Sequence, residues 1–352
     1  MTRRKQKLRV LVLMHESLVP PDDLSSLSDK ERLDRQTECD VVRGLAGLGH
    51  EVLKVGVSDE LAPLRRQVEE SKPDIVFNLL EEFHGQGLYD TNVVSYLELL
   101  RVPYTGCNPR GLVVARDKGL SKKILHYHRI PTPAFAVAAI GRKFRRPARL
   151  RFPLIVKSLV EEASLGIAKA SVVTSDEKLA ERIRFVHEHL KTAAMVETFV
   201  EGRELYVGLL GSSRVATFPV WELLITKAPP DEPRIATRKV KWDPEYQARW
   251  GVVTQQAEGL SADLAGRIAR ISRRIYHALG LSGYARLDFR LGEDGHPYCL
   301  EANPNPDISK EGEFASAAKS GGLSYGPLLE RIMTLGFERA LRTGALLGTS
   351  VT

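Results

Sequence analysis

Hydrophobic and polar positions change rhythm several times along the chain. Residues 8–14 form an apolar run interrupted only by Arg9, residues 51–57 and 74–79 form two more strand-like stretches that are mostly apolar, and helix-like stretches at 34–48 and about 59–70 lie between them. Near-continuous apolar strands alternating with helices predict a parallel α/β sheet, whose ligands collect beyond the strands' carboxyl ends. His15, Glu16, Asn78, Glu81 and His84 therefore fall on candidate site loops. A helix over 89–100 leads to Val102-Pro103-Tyr104-Thr105-Gly106, a short strand and turn where a first domain, 1–106, is expected to end.

Beyond it the pattern predicts a helix over 112–128, a buried strand Phe152-Pro153-Leu154-Ile155-Val156-Lys157, a charged amphipathic helix over 175–190 and strands over 193–200 and 205–209. Residues 219–258 have poor periodicity, many charges and Pro229, Pro230, Pro233 and Pro244, the signature of a binding loop or lid. A helix over 264–279 is closed by Gly280, and another runs over 326–343. A central domain of 107–200 and a C-terminal domain of 201–345 follow from this order.

The densest chemistry lies in GYARLDFRLGEDGHPYCLEANPNPD, residues 283–307. Two apolar-alternating runs around Gly292-Glu293-Asp294-Gly295 predict a β-hairpin. With Leu291 facing His296, Arg286 falls opposite Glu301 and Asp288 opposite Cys299. Period-two alternation then gathers Arg286, Asp288, Glu301 and Asn303 on one face and sends Leu287, Phe289, Leu291, Tyr298, Leu300 and Ala302 to the core. Two carboxylates and an amide oxygen suit Mg²⁺, and an arginine beside them could stabilise developing charge. The plain alternative is a hairpin whose outer face is wet.

A lysine closing an apolar strand, as Lys157 does, must find an anion or reach water. The small-residue turn after it, Ser158-Leu159-Val160-Glu161-Glu162-Ala163-Ser164-Leu165-Gly166-Ile167, could bring backbone N–H groups to phosphates. Neither GxxxxGK[ST] nor a GxGxxG after a strand is present.

Composition narrows the partners. At 352 residues, with 43% hydrophobic and 27% charged residues, the chain fits a soluble protein of two or three domains. Cys39, Cys107 and Cys299 are scattered and odd in number, which suggests neither a disulfide framework nor a metal cluster and fits a reducing cytoplasm. The basic start lacks a cleavage site, and no run of about 18 apolar residues exists, so neither secretion nor a membrane span is expected. The net charge is +7. Its densest basic stretch, 142–151, has one aromatic and no nucleic-acid motif, and it reads as a solvated loop rather than a nucleic-acid site.

Taken in order, the pieces resemble the ATP-grasp superfamily and, within it, D-alanine–D-alanine ligases. Val102-Pro103-Tyr104-Thr105-Gly106 and Arg116-Asp117-Lys118 are similar to that family's IPYTG and MDK segments. Ile155-Val156-Lys157 followed by Gly166-Ile167, VETFVEGRE with Glu197 and Glu204, and ARLDF…LEANPNP match three further segments. The resemblance implies three α/β domains with ATP clasped between two antiparallel sheets. It implies that Lys118, Lys157 and Ser164 contact nucleotide phosphates, that Glu197 and the backbone near Val200 hold adenine, and that Glu204 holds the ribose. It gives Asp288, Glu301 and Asn303 to Mg²⁺ or Mn²⁺, Arg286 and Lys241 to the reacting groups, Glu16 to a substrate amine, and the assembly a homodimer.

The expected function is an ATP-dependent carboxylate–amine ligase working through an acyl phosphate, joining amino acids or an amino acid and a small carboxylic acid. Departures set the substrates apart: the family's first loop serine is Ala163, its loop tyrosine is Trp242, and the serine expected to receive the second alanine's carboxylate falls near Gly312. Glu311 and Glu313 could face a cationic acceptor or simply water. D-alanine–D-alanine ligase proper is the enzymatic alternative. An inactive ATP-binding regulator is the alternative from another class, opposed by the intact lysine and metal set.

Overall fold

The computed structural model describes residues 7–23, 27–160, 168–227 and 235–343. Three sheets follow one another along the chain. The first holds β1 (Arg9–His15), β2 (Glu51–Val57) and β3 (Ile75–Asn78), all parallel in the order β2-β1-β3. The crossover expected as one helix over 34–48 is two, Asp29–Asp34 and Gln36–Gly47. They break at Arg35, whose backbone leaves the helical region (φ −115°, ψ 23°). Gly49, at φ +91°, turns the chain into β2. Residues 102–106 contribute no full strand, only a parallel bridge from Tyr104 to Val76.

The second sheet holds β4 (Phe135–Ala138), β5 (Leu154–Ser158), β6 (Val172–Val173) and β7 (Ala194–Thr198), antiparallel in the order β4-β7-β5-β6. Helix Asp176–Phe185, capped by Ser175, buries Leu179 and Ile183 against Leu154, Val156 and Val196. The helix expected over 112–128 is again two, Pro109–Arg116 and Lys118–Tyr127, because Asp117 leaves the helical region and its side chain caps the second by accepting from the Leu120 N–H.

The third sheet is antiparallel and holds β8 (Gly202–Gly211), β9 (Val215–Thr217), β10 (Trp221–Ile225), β11 (Val252–Gln256), β12 (Gly283–Gly292) and β13 (Pro297–Pro304). Its order is β11-β10-β8-β12-β13, with β9 paired to β8. Two of these strands lie inside the stretch read as irregular. There Pro244 opens helix Pro244–Trp250 at its first turn, with Asp243 as cap and Gly251 (φ +61°) as stop. The prolines and charges punctuate short elements instead of abolishing them. Glu222, a charge within β10, is taken up by Arg203 at 2.8 and 2.6 Å.

The hairpin register differs from expectation. Asp288 pairs with Glu301 and Arg286 with Asn303, but Phe289 pairs with Cys299, so Leu300 is an extra residue that bulges β13. The bulge flips the alternation ahead of it. Cys299, placed on the polar face, is fully buried with Phe289 in the core. Tyr298, placed in the core, lies outside and donates to Asp294 at 2.6 Å. The grouping of Arg286, Asp288, Glu301 and Asn303 survives because all four lie on the far side of the bulge.

Helix Tyr325–Thr343 returns to the first sheet, where Leu328, Leu329, Ile332 and Met333 pack with Val10, Val12, Met14, Ile75 and Phe77. Each such side chain is worth about 1.5–3 kcal/mol when fully buried. No helix among the described residues is long and apolar enough to cross a membrane.

Candidate active site

Strands β8, β12 and β13 carry the acidic half of the site. Register sets Glu204 beside Arg290 and Tyr206 beside Asp288 on one side, and Glu301 beside Asp288 on the other. Arg286 grips Asp288 with two hydrogen bonds, Nε to Oδ1 at 2.7 Å and Nη2 to Oδ2 at 3.0 Å, and reaches Glu313 at 3.4 Å. Its guanidinium lies 4.9 Å above the Tyr206 ring. Tyr206 in turn donates to Glu204 at 3.0 Å, and Arg290 donates to the other Glu204 oxygen at 2.7 Å.

Electrostatics separates the two facing carboxylates. Burial pushes Asp288 above the ordinary carboxyl value, against the pull of Arg286 and Lys241. Burial also pushes Glu301 up, but Lys118, Lys241 and Lys157 outweigh it and bring Glu301 down to about 2. Like charges this close do not ionise equally, and a divalent cation between them removes the conflict. Asp288, Glu301 and, through its amide oxygen, Asn303 form the hard-oxygen set that Mg²⁺ prefers. The residues therefore fit the ion, although no group of three or more His, Cys, Asp or Glu side chains suited to a metal occurs among the described residues.

Three lysines face this strand pair from the second sheet and the helix before it. Lys118 Nζ lies 3.7 Å from Glu301. Lys157, on β5, lies 2.9 Å from one oxygen of Glu197 on β7, and Lys122 lies 2.6 Å from the other. Burial works to lower the Lys157 pKa, and Glu197 and Glu301 reverse it, leaving the value raised. Burial likewise works against ionised Glu197, and the two lysines hold its carboxyl below the ordinary value. Both oxygens of Glu197 are thus engaged by lysines rather than turned to a base.

A cavity of about 290 Å³ opens beside Arg286, lined also by Tyr206, Lys241, Asp307, Glu313 and Phe314. Lys241 Nζ sits 5.9 Å above the Tyr206 ring, on the short helix Arg238–Trp242. Glu313 faces inward and burial raises it to about 7, whereas Glu311 is exposed. A Cβ at Gly312 would lie 2.5 Å from Ser309 Oγ and 2.8 Å from Asp307 Oδ2. A second cavity of the same volume is lined by Phe199, Val200 and Tyr298.

Other candidates sit apart. Glu16 is exposed at the end of β1 and lines neither cavity. Asn78 is buried, its oxygen accepting from the Leu80 N–H at 3.2 Å, a local turn. His15 lies 3.8 Å from Glu82. In the basic stretch Arg146 is bound to Asp176 and the Leu150 carbonyl. Ser164 and the loop around it lie outside the described residues.

Sequence reasoning missed Lys122 and Arg290. A signal for Lys122 was present: Lys118, Lys122 and Leu125 recur at helical spacing on one face, and that face is buried. Tyr206 carried no signal beyond its place in an apolar strand.

Residues 127–334 match the family model described as D-ala D-ala ligase C-terminus. "Uncharacterized protein y4sG" of Sinorhizobium fredii is 31% identical over 314 residues, 87% of this chain and 89% of that one. The D-alanine–D-alanine ligase of Bordetella avium is 33% identical over 255 residues, 71% and 75% of the two chains. The crystal structure of D-alanine–D-alanine ligase from Bacillus anthracis complexed with ATP superposes with a TM-score of 0.73 at 22% identity, covering 96% of this chain and all of the other. Two antiparallel sheets facing one another across lysines and carboxylates are the architecture of ATP-grasp ligases. Within that class the chain belongs to the D-alanine–D-alanine ligase family.

Proposed function

We propose that this protein is an ATP-dependent carboxylate–amine ligase whose substrates are not two D-alanines but another pair, amino acids or an amino acid and a small carboxylic acid. The observation that carries the reaction class is the in-register pairing of Asp288 with Glu301, with Arg286 gripping the former and Lys118 beside the latter.

In this reading Lys118 and Lys157 neutralise the triphosphate. The main chain from Glu197 to Val200 and the cavity beside Val200 take the adenine, and Glu204, fixed by Arg290 and Tyr206, takes the ribose. Asp288, Glu301 and Asn303 would hold magnesium, which spreads phosphate charge and orients the γ-phosphorus when bound. A substrate carboxylate attacks that phosphorus, ADP leaves, and an amine then displaces phosphate from the acyl phosphate. Arg286 and Lys241 face the charge that builds in both steps from the wall of one cavity. The short helices after β10 exclude water, which would otherwise hydrolyse the acyl phosphate.

The different substrate pair is supported at Gly312. The glycine lacks the hydroxyl that the family resemblance implies near there, and a side chain at Gly312 would have to displace Ser309 Oγ and Asp307 Oδ2. Phosphate release from ATP across a panel of amino acids and small carboxylic acids, with mass spectrometry of the products, tests the reading. Efficient formation of D-alanyl-D-alanine would overturn the substrate assignment. ATP binding without phosphate release for any acid–amine pair would favour a regulator.

A further inference from the structure

We propose that Lys122 is a positioning residue that balances charge: it neutralises Glu197 from inside the protein and so leaves the charge of Lys157 for the nucleotide phosphates. The proposal rests on the assignment of Lys157 to those phosphates made above.

Glu197 is fully buried and offers one oxygen to each lysine, at 2.6 Å to Lys122 and 2.9 Å to Lys157. The two lysines are not equivalent. The Lys122 side chain is 1% exposed and that of Lys157 is 13% exposed, so only Lys157 reaches the cleft. Two lysines around one carboxylate sum to a single positive charge. The carboxylate is needed, because two buried ammonium groups without it would tend to shed protons. Yet Glu197 with Lys157 alone would be a neutral pair with nothing left for an anion. Lys122 resolves this by cancelling Glu197 from a position no ligand can reach. It also donates to the Cys299 carbonyl at 3.3 Å, two residues before Glu301, which ties the triad to the strand bearing the metal-type carboxylate.

Full-length Lys122→Met, Lys157→Met and the double variant Lys122→Met/Glu197→Gln would be compared by calorimetric titration with ATP, with steady-state phosphate release alongside. A unit charge lost near a phosphate should raise the ATP dissociation constant of Lys122→Met by about tenfold or more, mainly as a rise in KM with a smaller change in kcat. The double variant restores the single positive charge and should bind within about threefold of wild type, a rescue that damaged packing would not give. Lys122→Met binding like wild type, or a double variant no tighter than Lys122→Met, would overturn the proposal. Wild-type affinity in Lys157→Met would instead remove the phosphate assignment beneath it. Should Lys122→Met fail to fold, the double variant decides alone: affinity near wild type supports the balance, and a loss of about tenfold refutes it.

Discussion

Replacing Asp288 by asparagine separates two jobs that the wild-type side chain does together. It removes a carboxylate that faces Glu301, and it loosens the two-pronged grip on Arg286 at 2.7 and 3.0 Å. Opposite charges at about 4 Å with an effective dielectric of about 20 attract by roughly 4 kcal/mol before desolvation is subtracted. The amide oxygen of asparagine keeps one hydrogen bond, and Arg286 keeps Glu313 and the Tyr206 ring. The net cost in folding should therefore be about 1–3 kcal/mol, below that of a fully stranded buried charge. That lowers the melting temperature by a few degrees without unfolding the protein. Turnover is another matter. Loss of a ligand to the ion that carries phosphate charge should cost several kcal/mol in the transition state, a fall of about a thousandfold or more. Phosphate release at saturating ATP and excess magnesium, with thermal unfolding on the same samples, measures both effects. Glu301→Gln is the companion variant. Its side chain is 28% exposed and its nearest cation, Lys118, is 3.7 Å away, so turnover should fall as far with less loss of stability. Turnover within about tenfold of wild type in both variants, with the fold intact, would refute the metal assignment.

Other consequences are more local. Burial raises Glu38 to about 7 from an ordinary value of 4.5. The folded state thus holds a proton that the unfolded state has released, and stability present below pH 4.5 is lost as pH rises toward 7. Glu38→Gln should recover up to about 3 kcal/mol at pH 8 and nothing below pH 4.5, read by urea unfolding at both; equal effects would count against it. Gly312→Ser should not create D-alanyl-D-alanine synthesis and should cost about 1–3 kcal/mol through crowding of Ser309 and Asp307, checked by melting temperature and product analysis. Gly202→Ala should be the most damaging of these, because Gly202 sits at φ +138° and a Cβ there would overlap the Leu291 carbonyl; little soluble protein is expected, and a normal melting temperature would contradict the packing.

Legibility tracked how local each cause was. β1 was readable because Leu11-Val12-Leu13 is apolar without interruption, and a buried parallel strand requires little else. The acidic face of the hairpin was readable because Arg286, Asp288, Glu301 and Asn303 alternate on one side of Leu300. The bulge was not, because an extra residue in one strand is decided by its partner and leaves no periodic trace. β10 and β11 were hidden by neighbouring prolines and charges whose partners, such as Arg203 for Glu222, are distant in sequence. Lys122 was missed for the same reason: its burial depends on Glu197, 75 positions away, as the pairing at 2.6 Å shows.

The closing helix of the chain has an effect on how the molecule is made. Val10, Val12 and Phe77 belong to its earliest strands, yet much of their apolar cover comes from Leu328, Leu329 and Ile332, beside Val41 and Leu45. Until that helix is made, the same side of the first sheet has only Val41 and Leu45 of helix Gln36–Gly47 to cover it and stays partly bare. A chain cut short before that helix would present the same sticky surface, so loss of a segment far from Asp288 should show up first as aggregation rather than as slower chemistry.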